Sequence, residues 1–179
     1  STYDAFSAEY REMPSVYQLA ATPAREMLTR CGVETGTTTF YRMINASTTE
    51  PVLRQMALAI AAEEVRHYKH FYRYFMRFQA EERLSRGAVL RAIWNRAAEI
   101  HADDSFIAFK HVYRALNPGI DFQMQDYQEF RLALRRLARD HYPYDLAVKM
   151  LTQLLDINGV VKRVVVPAAT SAARLLLAA

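Results

Sequence analysis

The sequence predicts an all-α protein, and three observations carry that expectation. Ala, Leu, Arg, Met and Glu are plentiful while glycine is held to 5 of 179 residues, a composition that favours helices over sheets. Apolar residues recur at steps of three and four along most of the chain, the period of one helix face. Thr22-Pro23 and Glu50-Pro51 place proline in a first helical turn, and Asn117-Pro118-Gly119 and Asn158-Gly159 interrupt the pattern.

The chain is long enough for one helical domain with a real core, and no linker or repeat divides residues 1–179. With 51% apolar residues it does not read as disordered. Twenty-three basic residues stand against 19 acidic ones, a net charge of +4 that falls short of a nucleic-acid-binding composition. A single cysteine, Cys31, excludes an internal disulfide and agrees with a reducing, cytoplasmic setting. No apolar run reaches the roughly 20 residues of a membrane helix, and no secretory signal opens the chain.

In chain order, residues 3–13 read as a short helix stopped before Pro14. A second helix runs from Pro23 to about Ala46, although Gly32, Gly36 and three consecutive threonines, Thr37 to Thr39, are poor helix formers that something other than propensity must hold. A third runs for about 30 residues from Pro51, with Leu53, Met56, Ile60, Glu64, His67, Phe71 and Phe75 on one face. Further helices are expected from Gly87 to about His101, on to Leu116 after an Asp103-Asp104-Ser105 cap, and over 123–140 and 144–157. Val160–Val166 is β-branched and reads equally as a strand, a helix end or an extended tail. The Ala/Leu-rich stretch after Ala168 is helical or frayed.

The residues with chemistry centre on Glu64-Val65-Arg66-His67. Residues three apart share a helix face, so Glu64 and His67 can reach one metal ion. A carboxylate on an apolar stripe is costly to bury unless it is paired or binds metal. Glu-x-x-His facing a glutamate on a neighbouring helix is half of a ferritin-like di-metal carboxylate centre, and its oxygen and nitrogen donors suit iron or manganese. Glu34 is the natural partner. It sits on a stripe with Met27, Cys31, Thr38 and Tyr41, and an antiparallel pair turning at Asn45–Thr49 brings it opposite Glu64. The plainer alternatives are a half-buried Glu-His pair and a surface glutamate.

Ile60-Ala61-Ala62-Glu63-Glu64-Val65-Arg66-His67 resembles the I-A-A-D-E-x-R-H segment of soluble acyl-carrier-protein desaturases. Phe71-Tyr72-Arg73 is similar to an F-Y-R that follows it in some relatives, and Glu34-Thr35-Gly36-Thr37 is more loosely similar to the family's E-x-A-T helix. The resemblance covers Glu34 to Phe78. It implies a ferritin-like helical bundle with additional C-terminal helices, with Glu34 as the single-glutamate ligand, Glu64 as the bridging glutamate and His67 as the histidine ligand. It further implies a non-haem di-iron (or Mn/Fe) oxidoreductase that activates dioxygen on an apolar, acyl-type substrate carried by an acyl carrier protein. The other reading is a non-catalytic ferritin-like module for metal storage or oligomer contacts.

The chain departs from that family in one respect. No second Glu-x-x-His exists, and the residues before Glu34 offer Glu9, Glu12 and Glu26 but no histidine. The first ligand pair then precedes Ser1 in a longer protein, is supplied by a second copy in a homodimer, or is missing from a degenerate site. Three further features read as structural. Glu99 and Asp103 share a face that His101 leaves, which suits a capped helix end better than a metal site. His70, His111 and His141 lack acids at ligand spacing. The stripe of Arg66, Lys69, His70, Arg73 and Arg77, balanced by Glu63 and Glu81, reads as solvated charge that an acyl carrier protein's acidic surface would also fit.

Overall fold

A computed structural model describes residues 1–12, 19–99 and 104–178. Among these, eight helices and no strand are present: α1 Thr2–Arg11, α2 Pro23–Ser47, α3 Pro51–Glu82, α4 Arg86–Glu99, α5 Asp104–Leu116, α6 Met124–His141, α7 Tyr144–Gln153 and α8 Gly159–Ala178. The expected all-α class is what the chain forms.

The central unit is the hairpin of α2 and α3. The Thr22 hydroxyl accepts the Arg25 amide at the start of α2, and the Glu50 carboxylate accepts the Val52 and Leu53 amides at the start of α3. The two helices run antiparallel and are tied at both ends. Near the turn, the Asn45 side-chain amide donates to the Arg54 carbonyl at 2.9 Å. At the open end, the Ala24 amide donates to Glu82 Oε1 at 2.8 Å, so the last residue of α3 caps the first turn of α2. The other Glu82 oxygen is buried without a partner. Glu82→Ala is expected to cost about 1–2 kcal/mol, the loss typical of a cap. Urea unfolding checks this, and an unchanged midpoint would show that the contact contributes nothing.

The weak helix formers of α2 are held by their own hydroxyls. Thr35, Thr37 and Thr39 donate to the carbonyls of Cys31, Val33 and Thr35, each one turn back. Thr39 also meets the Tyr142 hydroxyl at 2.9 Å, which fixes the junction of α6 and α7 against α2. Thr38 is fully buried and its hydroxyl has no partner.

The core joins Leu28 and Cys31 of α2, Tyr68 and Phe75 of α3, Val89 of α4, and Met150 and Leu154 at α7. Tyr68 takes part without an unpaired polar atom, because its hydroxyl donates to the Met150 carbonyl at 2.6 Å. A satellite aromatic cluster of Phe106, Phe109, Phe122, Tyr127 and Phe130 joins α5 to α6. Against α5, Glu9 of α1 binds both Lys110 and His111, the latter at 2.8 Å. His111 is thus a structural residue whose acid partner comes from another helix. The hydrogen bonds from Lys110 and His111 hold the Glu9 carboxyl below its usual range.

Two details differ from the sequence expectation, one reading left open is resolved, and one segment is only partly described. The buried face of α3 is Ala57, Ala61, Tyr68 and Phe75, rotated from the expected stripe, so Leu53 and Met56 lie exposed. Valines 160, 161, 164, 165 and 166 fall in the helix α8, because the Asn158 side chain accepts the Val161 amide and starts the helix where a break was expected. Helix α7 ends at Gln153 rather than 157, and Asp156 turns the chain in the left-handed region at φ 45°. Helix α4 is described only to Glu99; His101 and Asp103 lie outside the described residues. No helix among those described is long and apolar enough to cross a membrane.

Candidate metal centre

Glu34 lies near the middle of α2, and Glu64 and His67 lie near the middle of α3. The antiparallel register brings the three together, with ligand atoms all within 4.8 Å of one another. His67 Nδ1 stands 3.1 Å from Glu64 Oε2 and 3.7 Å from Glu34 Oε2. The two carboxylates are largely covered, at 13% and 19% side-chain exposure, whereas the imidazole is 58% exposed. The expectation that both Glu64 and His67 point inward is therefore corrected for His67. The rotation of α3 that seats Tyr68 in the core carries the preceding residue out to the rim.

Burial, then the neighbouring Glu64 carboxylate, push the Glu34 carboxyl up to about 7. Glu64 moves the other way, held down first by the hydrogen bond from Glu34, then by His67 and a Thr37 hydroxyl. Without a cation the pair therefore shares one proton, carried by Glu34. The Cys31 thiol, one turn before Glu34, is pushed up to about 12 by burial and by the Glu34 charge, so without a metal it is a neutral thiol at neutral pH.

These shifts set a pH dependence for the metal-free protein. Between about 4.5 and 7 the folded state holds a proton on Glu34 that the unfolded chain has released, so stability falls as pH rises through that window. Glu64 has the opposite sign, and stability falls as pH drops below its ordinary 4.5. Urea midpoints are thus expected to peak near the lower end of the window. In Glu34→Gln the decline towards pH 7 should vanish, and a decline that persists would place its cause elsewhere.

Arg30 is a neighbour that no ligand-spacing argument singled out. It pairs with Glu26 at 2.9 Å and lies over the Phe71 ring at 5.6 Å, and its charge favours the Glu34 carboxylate. Its signal in the sequence is the Glu26, Arg30, Glu34 ladder at steps of four. The basic stripe of Arg66, Lys69, His70, Arg73 and Arg77 is exposed, with Arg66 bound to Glu63.

Along α3, Leu53, Met56, Ile60, Tyr74 and Phe78 follow steps of three and four to either side of Glu64 and His67, while Phe71 on the same stripe packs against the core cluster. Leu53, Met56 and Tyr74 are 45%, 55% and 39% exposed. The donor set, two carboxylates and one imidazole, fits a divalent ion of iron or manganese better than a soft thiolate-seeking metal. Compared with protein-family models, curated proteins and solved structures, the chain matches none, and the desaturase resemblance rests on the residues quoted above.

Proposed function

We propose that Glu34, Glu64 and His67 hold a redox-active metal, iron or manganese, and that the protein is a non-haem di-metal oxidoreductase activating dioxygen on an apolar, acyl-type substrate. One observation carries this reading: two carboxylates and an imidazole from two helices converge within 4.8 Å. Neighbouring carboxylates this covered need either a proton or a cation between them, and a divalent cation answers both charges at once.

When bound, such a metal supplies one-electron redox chemistry at coordination positions left open by the protein. The chain's own residues do the rest. Glu34 and Glu64 gather the positive charge, and Glu34 gives up its shared proton as metal enters. His67 reaches the two carboxylates from the solvent-exposed rim. Ile60 and the exposed Met56, one and two turns before Glu64, offer an apolar surface suited to a hydrocarbon chain. The exposed basic stripe, on the side of α3 away from Glu64, fits the acidic surface of an acyl carrier protein.

The test is metal analysis of the purified full chain, with dioxygen uptake measured after loading with Fe(II). Stoichiometric metal and uptake above the unloaded protein are expected, and protein that retains no iron or manganese sinks the reading. The exposed Leu53, Met56 and Tyr74 favour a second reading, a ferritin-like module for metal storage or oligomer contacts. Metal retained without dioxygen uptake selects it.

A further inference from the structure

We propose that the exposed face of α8 is a membrane-surface patch that lays the protein on bilayers bearing anionic headgroups. The patch shares no residue with the metal centre and does not depend on it.

A surface helix ordinarily buries its apolar side and turns its polar side to water. Helix α8 does only the first. Its half-buried side, with Val165, Val166, Ala169 and Ala173, lies against α6 and α7. The opposite side is also apolar. Val160, Val164 and Leu175 are 74%, 70% and 76% exposed. Steps of three and four join them through Pro167 and Ser171, both exposed, into one stripe about 22 Å long. Ser171 is the stripe's one polar member. Apolar exposure this continuous marks a contact surface, whereas ordinary exposed apolar residues are scattered singly.

Charge names the occupant. Helix α8 carries three cations, Lys162, Arg163 and Arg174, and no acid. Arg163 and Arg174 are exposed and fall along one edge of the stripe. The surplus extends beyond this helix. Residues 131–179 hold eight of the chain's 23 cations and three of its 19 acids, a surplus of five where the whole chain has four. Asp140 and Asp145 are already paired, with Arg139 and Lys149. That leaves Asp156 against six cations that make no ion pair among the described residues. Three are those of α8, and three, Arg131, Arg135 and Arg136, stand on α6, which packs beside it. All of the chain's net positive charge thus lies in the segment that presents the stripe.

An apolar stripe edged by cations matches the boundary of an anionic bilayer. Valine and leucine enter the acyl region there while arginine and lysine stay among the headgroups. No described helix is long and apolar enough to cross a bilayer, so α8 lies in the plane of the surface. A second copy of the chain is a poorer occupant. Two α8 stripes set face to face gather six cations with no α8 acid to answer them.

Co-sedimentation of the full chain with lipid vesicles tests this. Binding is expected to phosphatidylcholine vesicles containing about 30% phosphatidylserine, to be about tenfold weaker without phosphatidylserine, and to weaken with salt. The double variant Val164→Ser, Leu175→Ser keeps every charge. Both sites are exposed, so its helical circular dichroism should not change. It should bind the anionic vesicles about 100-fold more weakly, about tenfold for each apolar side chain withheld from the acyl region. Arg163→Gln should lose about fivefold. Val52→Ser, on the exposed start of α3, should lose nothing. No binding to the anionic vesicles, equal binding to the uncharged ones, or undiminished binding by the double variant overturns the proposal. So does a chain that ignores vesicles and instead shows a doubled mass that the double variant loses.

Discussion

Replacing Glu64 with alanine is expected to reduce bound iron or manganese to background while leaving the helical fold intact. Glu64 is the carboxylate that faces both other ligands, within 3.1 Å of His67 Nδ1 and beside Glu34. The fold has little reason to suffer. Alanine is the best helix former, the position is not in the buried core, and a carboxylate leaves the neighbourhood of another. His67→Ala removes the nitrogen ligand from the rim and should weaken binding similarly, with a smaller effect on packing because the ring is mostly in solvent. Asp103→Ala, between α4 and α5 in the sequence, is the contrast and should leave metal content alone. Elemental analysis of the three variants decides: an unchanged value in Glu64→Ala removes the site, and a loss in Asp103→Ala places the metal elsewhere.

Phe75→Ala should be the most damaging substitution to stability. Phe75 has no solvent exposure and packs within the cluster of Leu28, Tyr68, Val89, Met150 and Leu154, where three helices besides its own meet. Truncating it leaves a cavity that this close-packed region cannot fill, at a cost of about 3–5 kcal/mol. Against a domain stability of about 5–15 kcal/mol, that is a large share of the whole. Urea unfolding should show a much lower midpoint with an unchanged slope. Arg73→Ala, two residues away and exposed, should move the midpoint by about 0.5 kcal/mol or less. Similar losses in the two variants would mean that α3 is not anchored through Phe75.

How much of this was legible in the sequence depends on which signal each residue carried. Local signals were strong where chemistry is local: Glu50-Pro51 started α3, and Thr22-Pro23 started α2. Because both helices are regular, equal distances from one turn were enough to bring Glu34 opposite Glu64. What periodicity could not settle was which apolar stripe of α3 the core takes. The second half of α3 is aromatic on several sides, so the pattern offers two stripes and only the packing of α4 and α7 chooses between them. Val160–Val166 was ambiguous for another reason. Its residue types favour strand, whereas the Asn158 side chain caps a helix there and that helix packs on α7 and α6. Arg30 carried no ligand signal because it pairs with Glu26 and bears on the centre only through the charge it sets beside Glu34.

The two ties of the α2–α3 hairpin act together as a gauge block. Asn45 to Arg54 at one end and Ala24 to Glu82 at the other prevent either helix from sliding along its neighbour. A slip of one residue moves one helix about 1.5 Å along the other, and a slip of one turn about 5.4 Å. The ligand atoms of Glu34, Glu64 and His67 gather within 4.8 Å, so a one-turn slip would leave no common point for an ion. Alignment at the middle of the hairpin is thus set by polar contacts at its extremities, far from any ligand. Sequence drift at Asn45 or Glu82 would blur the centre without altering one of its residues.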